Sequence, residues 1–479
     1  MLRELRARTS SLSYEEAEVA AALGLPNLGE FFEQEYSIYR YRALRAEPRL
    51  ATLARLFLVN DPVPERQVHD VLGADLVQGL VSGGALARVD NLVQARYLLS
   101  PVDHALFFTD RRIGGQRDRV MPVGHDTYAL AHQTQAAPGG SVLDVGTGCG
   151  VQGVLAARWA RRVVSVDVNP RALAMAKVNA QLNGVADRIA FKHGSLYEPV
   201  KGRFDVVLAN PPFVPRPRVD LLFRDAGPHG EDILAKIVAG ARRHLAESGL
   251  LQIMTEIIHH DELGPLEKIE AWAGEALSGA VFEEDEDLLP TYAREHEHRA
   301  GGPDDDHVAL AERTATYASF LREMGIRRIT HATLHLRPNP GGERLRLFPV
   351  TYLGSGERDH VAAGLRQVRL LGSDRWLQAA SGHVPVMHAG LVFSSRWTPS
   401  SGVTSTRVEL PAGSPWCSAD LEPVADRLLR LLAESPTVGA WVARCAQEIE
   451  TGDRELSELL EQCLAGALCN GWVTLEPAA

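Results

Sequence analysis

The sequence has few cysteines, and none of them form a pattern that would make them structural. Five cysteines occur in 479 residues and no two of them form a CxxC pair. The sequence therefore indicates neither a disulfide framework nor a zinc-binding cluster. We expect a reducing, cytoplasmic environment and no metal site.

Long apolar runs are also missing. No stretch approaches the roughly 20 apolar residues that a membrane-spanning helix needs. The first residues, MLRELRARTSSLSYEEAE, contain no apolar core of a signal peptide. We expect neither export nor membrane insertion. The content of 45% hydrophobic and 23% charged residues is typical of a globular protein.

An excess of positive charge is absent as well. Fifty Lys and Arg residues stand against 61 Asp and Glu residues, which gives a formal net charge of -11. This sign disfavours a protein that binds nucleic acid over its whole surface.

The pattern of the chain predicts three domains. Residues 1–115 contain short helical units followed by two strand-like runs, the order of elements in a winged helix. Residues 116–350 alternate short apolar runs with amphipathic segments. Residues 351–479 mix strand-like runs with helices and end in WVTLEP, which suggests an α+β region that also resembles a winged helix.

The middle domain carries the strongest fold signal. Apolar runs such as SVLDVG, RVVSVDV and FDVVLAN alternate with helical segments such as PRALAMAKVNAQLNG. Buried strands alternating with helices predict an α/β fold with a parallel, Rossmann-like doubly wound sheet. We expect this sheet to be flanked by the winged-helix-like N-terminal region and the α+β C-terminal region.

A glycine-rich loop follows the first predicted strand of this domain. The text LDVGTGCG places Gly146, Gly148 and Gly150 between a strand and a helix. Such a loop lets the backbone approach a nucleotide-like ligand closely. Asp167, at the end of the next predicted strand, is placed to accept hydrogen bonds from both hydroxyls of a ribose.

Two classes of cofactor fit this loop, because Gly148, Gly150 and Gly153 also spell GxGxxG, a pattern of nicotinamide- and flavin-binding proteins. The end of the fourth strand favours another chemistry. There the tetrad Asn210, Pro211, Pro212 and Phe213 offers carbonyl oxygens that can accept both hydrogen bonds of an NH2 group, and a ring that can pack on a planar substrate. This arrangement suits methylation of a planar nitrogen.

The segment from Met121 to Leu251 resembles the "small-domain" methyltransferases with an NPPY/F motif, which depend on S-adenosylmethionine. They include protein-glutamine methyltransferases and guanine-N2 methyltransferases of ribosomal RNA. The resemblance covers about a third of the chain and implies a class I methyltransferase with the substrate nitrogen oriented by Asn210 and Pro211. It also implies a set of cofactor-binding residues: Thr127, Asp144, Gly146, Thr147, Gly148, Gly150, Asp167, Val168, Ser195 and Asn210.

Two departures from the family pattern concern the substrates. Many relatives have an Asp after the third strand that binds the adenine amino group, whereas this chain has Ser195. The tetrad ends in Phe213 where the glutamine enzymes have Tyr. Downstream of the tetrad, Arg224, Asp225 and His229 are candidates for the substrate side, with helix capping as the alternative.

The negative charge of the chain is concentrated in one segment. Residues 256–306 contain sixteen acidic and three basic residues, so the remainder of the chain is nearly neutral. One hypothesis is that this acidic insertion caps the crevice and selects a cationic or amine-bearing acceptor. The other is a solvated surface insertion.

The acceptor of the methyl group stays open at this point. The first hypothesis is a nitrogen of a peptide or protein side chain, or of an amine-bearing small molecule. The alternatives are a base in RNA, which the charge disfavours, and an inactive module that only binds the cofactor.

Overall fold

The structure is a computed structural model that describes residues 1–31, 36–111, 117–217, 220–260, 263–284, 289–301, 307–339, 341–350, 358–372, 376–398, 402–411, 418–449 and 453–477. The chain forms two compact units. The first consists of Met1–Gly274 and Glu286–Pro338, and the second of Glu275–Asp285 and Asn339–Ala479.

The helices, in chain order, are α1 Leu2–Ser11, α2 Glu16–Leu23, α3 Tyr36–Ala43, α4 Pro48–Ala54, α5 Glu65–Leu72, α6 Ala74–Ser82, α7 His125–Gln133, α8 Val151–Ala156, α9 Pro170–Leu182, α10 Asp232–His244, α11 Pro265–Ala273, α12 Leu289–Gly301, α13 His307–Glu323, α14 Arg358–Leu371, α15 Trp376–Ala379, α16 Pro423–Ala433, α17 Val438–Glu448 and α18 Asp453–Cys469. The strands are β1 Val63–Pro64, β2 Leu86–Val89, β3 Leu92–Ala95, β4 Leu98–Val102, β5 Ala105–Thr109, β6 Ser141–Val145, β7 Arg162–Asp167, β8 Ile189–His193, β9 Phe204–Ala209, β10 Leu245–His260, β11 Leu277–Glu284, β12 Ile326–Pro338, β13 Arg346–Val350, β14 Val384–Met387, β15 Val392–Thr398, β16 Gly402–Glu409, β17 Ala419–Leu421 and β18 Val473–Glu476.

The predicted parallel sheet is confirmed and lies in the first unit. Its strands follow the order β12-β10-β9-β6-β7-β8, and all neighbours are parallel except the antiparallel pair β10 and β12. The strands β6, β7 and β9 are each followed along the chain by a helix, α8, α9 and α10, as the alternation of apolar runs predicted. The order reverses between β6 and β9, so the carboxyl ends of these two strands open onto the crevice where such sheets bind ligands.

The N-terminal region and this sheet share one hydrophobic core. Buried side chains from Leu5 through Phe107 belong to the same cluster as Val142 and Leu208. Asn179 of α9 also fastens the β4–β5 hairpin, because its Oδ1 accepts the Phe108 N–H at 2.8 Å and its Nδ2 donates to the Phe108 carbonyl at 2.9 Å. The first compact unit therefore runs across the boundary predicted at residue 115.

The N-terminal elements occur in the predicted order. The helices α4, α5 and α6 precede the strands β2 and β3, and β1 completes a small antiparallel sheet in the order β1-β3-β2. The helix α6, with the sequence ADLVQGLVS, contains no Lys or Arg. A winged helix that binds nucleic acid through this helix would need such residues. The winged-helix assignment itself stays a prediction.

The second unit has its own core, built from α14 to α18 and the strands around them, with Trp441 and Leu464 fully buried. It begins at residue 339 rather than at the predicted 351, and it also includes residues 275–285. The reason is that β11 pairs in parallel with β13 of the same unit.

The acidic segment 256–306 is therefore not a single surface insertion. It starts within β10, passes through β11 of the second unit and continues in α12. Glu283 and Glu284 lie on β11 and are buried. Residues 285–288 and 302–306 lie outside the described residues. The hypothesis that this segment caps the crevice stays a prediction.

A search of the described residues for a helix that is long and apolar enough to cross a membrane finds none.

Candidate active site

The glycine-rich loop joins β6 to α8 as predicted, and its glycines adopt backbone conformations that L-residues rarely use. The φ angles of Gly146, Gly148 and Gly150 are 71°, 54° and 92°. The loop is held against the end of β7, because the backbone N–H groups of Gly146 and Thr147 both lie 2.9 Å from the Val166 carbonyl. The backbone of the loop is thus fixed at the carboxyl edge of the sheet.

Asp144, near the end of β6, holds the glycine loop and the start of α8 through hydrogen bonds. Its Oδ2 accepts hydrogen bonds from the Thr147 hydroxyl and from the Gly153 N–H, the latter at 3.0 Å. A Cβ at Gly153 would lie 2.5 Å from the Ser165 hydroxyl, so glycine is required there for packing. Burial raises the pKa of the Asp144 carboxyl to about 6, although its hydrogen bonds oppose the shift.

Asp167 ends β7 and binds two backbone N–H groups. Its Oδ2 accepts from Gly148 and its Oδ1 from Asn169, each at 2.8 Å. Burial raises the pKa of this carboxyl as well, and the backbone hydrogen bonds oppose that shift. The carboxylate is therefore oriented beside the glycine loop before any ligand is bound.

These groups border a cavity of about 490 Å³ at the carboxyl edge of the sheet. Most of the predicted site residues line it: Thr127, Asp144, Gly146, Thr147, Gly148, Asp167, Val168, Ser195, Asn210 and Pro212. Among the residues that the structure describes, Gly150, Pro211 and Phe213 are not part of the lining. Pro211 and Phe213 are buried behind it, so contact between the Phe213 ring and a substrate stays a prediction.

The cavity is also lined by a helix, α10, that the sequence did not assign to the site. The Tyr197 hydroxyl donates to the Ile237 carbonyl of α10 at 2.8 Å. Asp232 and Lys236, one helical turn apart on this helix, line the same cavity as Ser195. The amphipathic pattern of α10 could have revealed its inner face, but not the loop that it packs against.

The tetrad and the loop after it also contribute to the cavity lining. Asn210 follows directly after β9 and is half-buried. Asp225 also lines the cavity, and its carboxylate accepts the backbone N–H groups of Asp220 at 2.9 Å and Leu221 at 2.8 Å. Asp225 therefore stabilises the conformation of its own loop. Among the described residues, Arg224 and His229 do not line the cavity.

The lead-in segment before α7 is held by an ion pair. The Arg171 guanidinium binds Asp110, whose carboxylate also accepts the Val120 N–H at 2.6 Å. Arg119, Val120 and Met121 consequently lie along the cavity. The sequence suggested only Thr127 from this region, since the Asp110–Arg171 contact joins residues 61 positions apart.

A buried polar cluster lies next to the start of α7. The Tyr292 hydroxyl donates to Glu256 at 2.6 Å, and His331 Nε2 lies 3.7 Å from Glu256 and 4.0 Å from Asp126. Burial, and then the Glu256 carboxylate, raise the pKa of the Tyr292 phenol well above its usual value, so the phenol remains a hydrogen-bond donor. The cluster links α12 and β12 to Asp126, the residue before Thr127.

The donor set of the cavity fits S-adenosylmethionine. A carboxylate at the tip of β7 can hold ribose hydroxyls, and the open backbone of the glycine loop can lie against the rest of the cofactor. The cavity volume falls within the range of roughly 300–1,000 Å³ that is usual for sites of small ligands and cofactors.

Comparison with known proteins agrees with the assignment of this cavity to S-adenosylmethionine. The model of the methyltransferase small-domain family matches residues 123–263, and a model of a domain of unknown function (DUF7059) matches residues 11–96. A candidate protein N5-glutamine methyltransferase of Methanocaldococcus jannaschii is 37% identical over 142 residues, which make up 28% of this chain and 71% of that protein.

Two further relatives share shorter parts of their length. The release factor glutamine methyltransferase of Cereibacter sphaeroides is 34% identical over 35% of this chain and 66% of that protein. The ribosomal protein L11 methyltransferase of Pelotomaculum thermopropionicum is 54% identical over 20% of this chain and 33% of that protein. The chain thus spans a third to about seven tenths of these relatives. It belongs to the methyltransferase small-domain family and is an S-adenosylmethionine-dependent methyltransferase.

Proposed function

We propose that this enzyme methylates the side-chain amide nitrogen of a polypeptide, with glutamine as the first candidate. The observation that carries the proposal is that Asn210 and Pro212 line the cavity, one strand away from the glycine loop. Two of the relatives described above are named as glutamine methyltransferases, and the family model matches residues 123–263, which include this segment.

The chemistry of the tetrad supports an amide acceptor. The Asn210 side-chain carbonyl and the Pro211 backbone carbonyl can each accept one hydrogen bond from the NH2 group. Proline has a fixed φ angle, so the backbone at Pro211 and Pro212 is restricted in conformation. Neither residue has an N–H group, so neither adds a backbone donor next to these carbonyls. Holding both protons turns the nitrogen lone pair toward the reacting carbon.

S-adenosylmethionine supplies an electrophilic methyl group, and the new C–N bond forms as the S–CH3 bond breaks. The nitrogen then gives up one proton to solvent. In this reaction Asp144, Asp167 and the glycine loop would hold and orient the cofactor, and Asn210 and Pro211 would orient the acceptor. The residues provide position rather than a strong general base.

A polypeptide acceptor is favoured over a nucleic acid by the charge of the chain. The helix that would enter a groove of nucleic acid, α6, has no basic residue and exposes Asp75. Nucleic acids attract proteins largely through their phosphates, which basic residues neutralise.

The test is to incubate the enzyme with methyl-labelled S-adenosylmethionine and, separately, with protein, RNA and metabolite fractions of a cell extract. We expect label in the protein fraction, located by mass spectrometry on a side-chain amide nitrogen. The Asn210→Ala enzyme serves as the control for labelling by contaminants. Label confined to RNA or to small molecules would overturn the proposal.

Binding of the cofactor is expected to depend on pH through Asp144. With a pKa of about 6, this carboxyl is mostly protonated at pH 5 and ionised at pH 7. Because only the ionised form attracts the positively charged cofactor, affinity should be about tenfold weaker at pH 5 than at pH 7. Calorimetric titrations across this range measure the effect, and Asp144→Asn should flatten it. An affinity of the parent enzyme that is independent of pH would contradict this role.

The same pKa has the opposite effect on the stability of the free protein. A carboxyl whose pKa is raised by folding contributes stability below its usual pKa near 4, and this stability is lost as the pH rises through about 6. The cofactor-free enzyme should therefore lose stability over the window in which cofactor affinity increases. Urea unfolding at pH 4 to 7, with Asp144→Asn as the matched variant, separates the two effects.

A further inference from the structure

A second groove lies beside the site, between the segment that follows the tetrad and the helices α12 and α13. Its volume is about 430 Å³, and the side chains that define it are Arg216, Glu297, Glu312, Arg313, Tyr317 and Phe320. All of them belong to the first compact unit. The roles assigned above to cofactor and acceptor binding do not involve this groove.

A short backbone ribbon connects the groove to the first cavity. Val214 N–H donates to the Arg224 carbonyl at 3.0 Å, and Arg216 N–H donates to the Gly227 carbonyl at 2.8 Å. Gly227 lines the first cavity, whereas Arg216 lines the groove. The Tyr317 hydroxyl also donates to the Pro215 carbonyl at 2.7 Å, which fixes α13 to the ribbon. The two sites therefore share one wall.

Arg216 is held so that one edge of its guanidinium remains without a hydrogen-bond partner. Its Nη1 binds Glu297, and its carbon Cζ lies 4.0 Å from the centre of the Tyr317 ring. Its Nε and Nη2 are buried and have no hydrogen-bond partner in the described structure. Leaving a buried donor without a partner is energetically unfavourable. Such a group in a native protein calls for an explanation.

The unpaired edge has the geometry that a carboxylate recognises. Nε and Nη2 form a planar fork of two N–H donors, and a carboxylate accepts such a fork in a bidentate pair. Arg216 and Arg313 both pair with the same carboxylate, Glu297. Glu312 lies on an exposed position of α13 and contributes a negative charge at the rim.

We infer that this groove binds the acceptor polypeptide next to the residue that is methylated, and that Arg216 pairs with an Asp or Glu side chain of that polypeptide. This inference rests on the proposed function, since it takes the acceptor to be a polypeptide. The shared ribbon lets one chain lie across both sites, with an amide in the first cavity and a carboxylate on the Arg216 fork. Arg216 is then a residue that determines specificity, not a catalytic one.

The experiment uses fluorescent 15-residue peptides with a central glutamine, prepared in matched pairs that have Glu or Gln, or Asp or Asn, at each flanking position. Binding to the full-length enzyme loaded with S-adenosylhomocysteine is measured by fluorescence anisotropy. Methylation of the same peptides is followed with labelled S-adenosylmethionine. We expect one flanking position at which the acidic peptide binds about tenfold more tightly, the scale of one charge-assisted bidentate pair.

Three variants separate the fork from general charge effects. Arg216→Gln should abolish the acidic preference, and Arg216→Lys, which keeps the charge but has no fork, should retain only a small part of it. Glu312→Gln removes a like charge at the rim, so it should keep or increase the preference. Calorimetric titration with S-adenosylmethionine tests whether each variant is folded. The cofactor cavity is on the other side of the ribbon, so a folded variant should still bind the cofactor.

The outcomes distinguish this inference from the proposed function. Peptides that are methylated on glutamine without any acidic preference, or with a preference that survives in Arg216→Gln, overturn the inference and leave the function in place. Acid-dependent binding with no methylated amide in any peptide overturns the proposed function, and with it the assignment of the groove to an acceptor.

Discussion

Replacement of Asn210 by alanine is expected to reduce turnover by about 100-fold or more, the scale at which the loss of a key orienting or charge-stabilising group affects catalysis. Asn210 follows β9 directly and lines the cavity, and β9 pairs with β6, the strand that precedes the glycine loop. Without its carbonyl, one proton of the acceptor NH2 has no fixed partner, and the lone pair is no longer directed at the methyl group.

The affinity for S-adenosylmethionine should change only a few-fold in this variant, because the glycine loop, Asp144 and Asp167 remain. Single-turnover rates and calorimetric affinities measured on the same preparation test both parts. Asn210→Asp is the matched variant: it keeps an acceptor oxygen and the shape of the side chain. Equal turnover in parent and Asn210→Ala would show that the acceptor binds elsewhere.

Asp167→Asn is expected to weaken S-adenosylmethionine binding by about 100-fold, which corresponds to the loss of charge-assisted hydrogen bonds worth about 1.5–3 kcal/mol each. Both carboxylate oxygens already face backbone N–H donors, one from Gly148 and one from Asn169. An amide at this position must turn its NH2 group toward one of these donors. The change therefore disturbs the loop as well as the ribose contact.

Asp205→Asn is the control for this prediction. Asp205 lies near the start of β9, away from the cavity lining, and its Oδ2 accepts the Ser141 N–H at 2.7 Å. Its replacement should cost about 1 kcal/mol of stability, the typical value for one hydrogen bond, and leave cofactor affinity within about twofold. If the two variants bound the cofactor equally well, Asp167 would have no special part in binding.

Much of the sheet and of the cofactor site could be predicted, because the signals are local. Runs such as SVLDVG and FDVVLAN are mostly apolar, which is the mark of strands covered on both faces, and they occur as β6 and β9. The glycines of the loop need positive φ angles, which a glycine pattern after a strand reveals directly. Asp167 and Asn210 end their strands, so the parallel sheet alone brings them to the same edge.

The domain boundaries were harder to predict, for a physical reason. The sequence shows that the N-terminal helices have apolar faces, but it does not show which element those faces pack against. In the structure they share a hydrophobic core with the sheet. Likewise, the acidic sequence around Glu283 predicts a surface segment, yet the pairing of β11 with β13 buries this residue. Net charge along a chain does not report which strand partner covers a side chain.

The sequence by itself determined the elements of the proposed reaction centre: a strand, a glycine loop, a carboxylate and the tetrad in a fixed order, each defined by residues close in the chain. Only the tertiary structure decided what surrounds these elements. It placed Asp232 and Lys236 in the lining of the same cavity as Ser195 and set Arg216 against Tyr317, 101 positions further along the chain. Local periodicity carries information over a few residues, whereas these contacts depend on how whole helices pack, and that packing is settled by the shape and burial of the complete core.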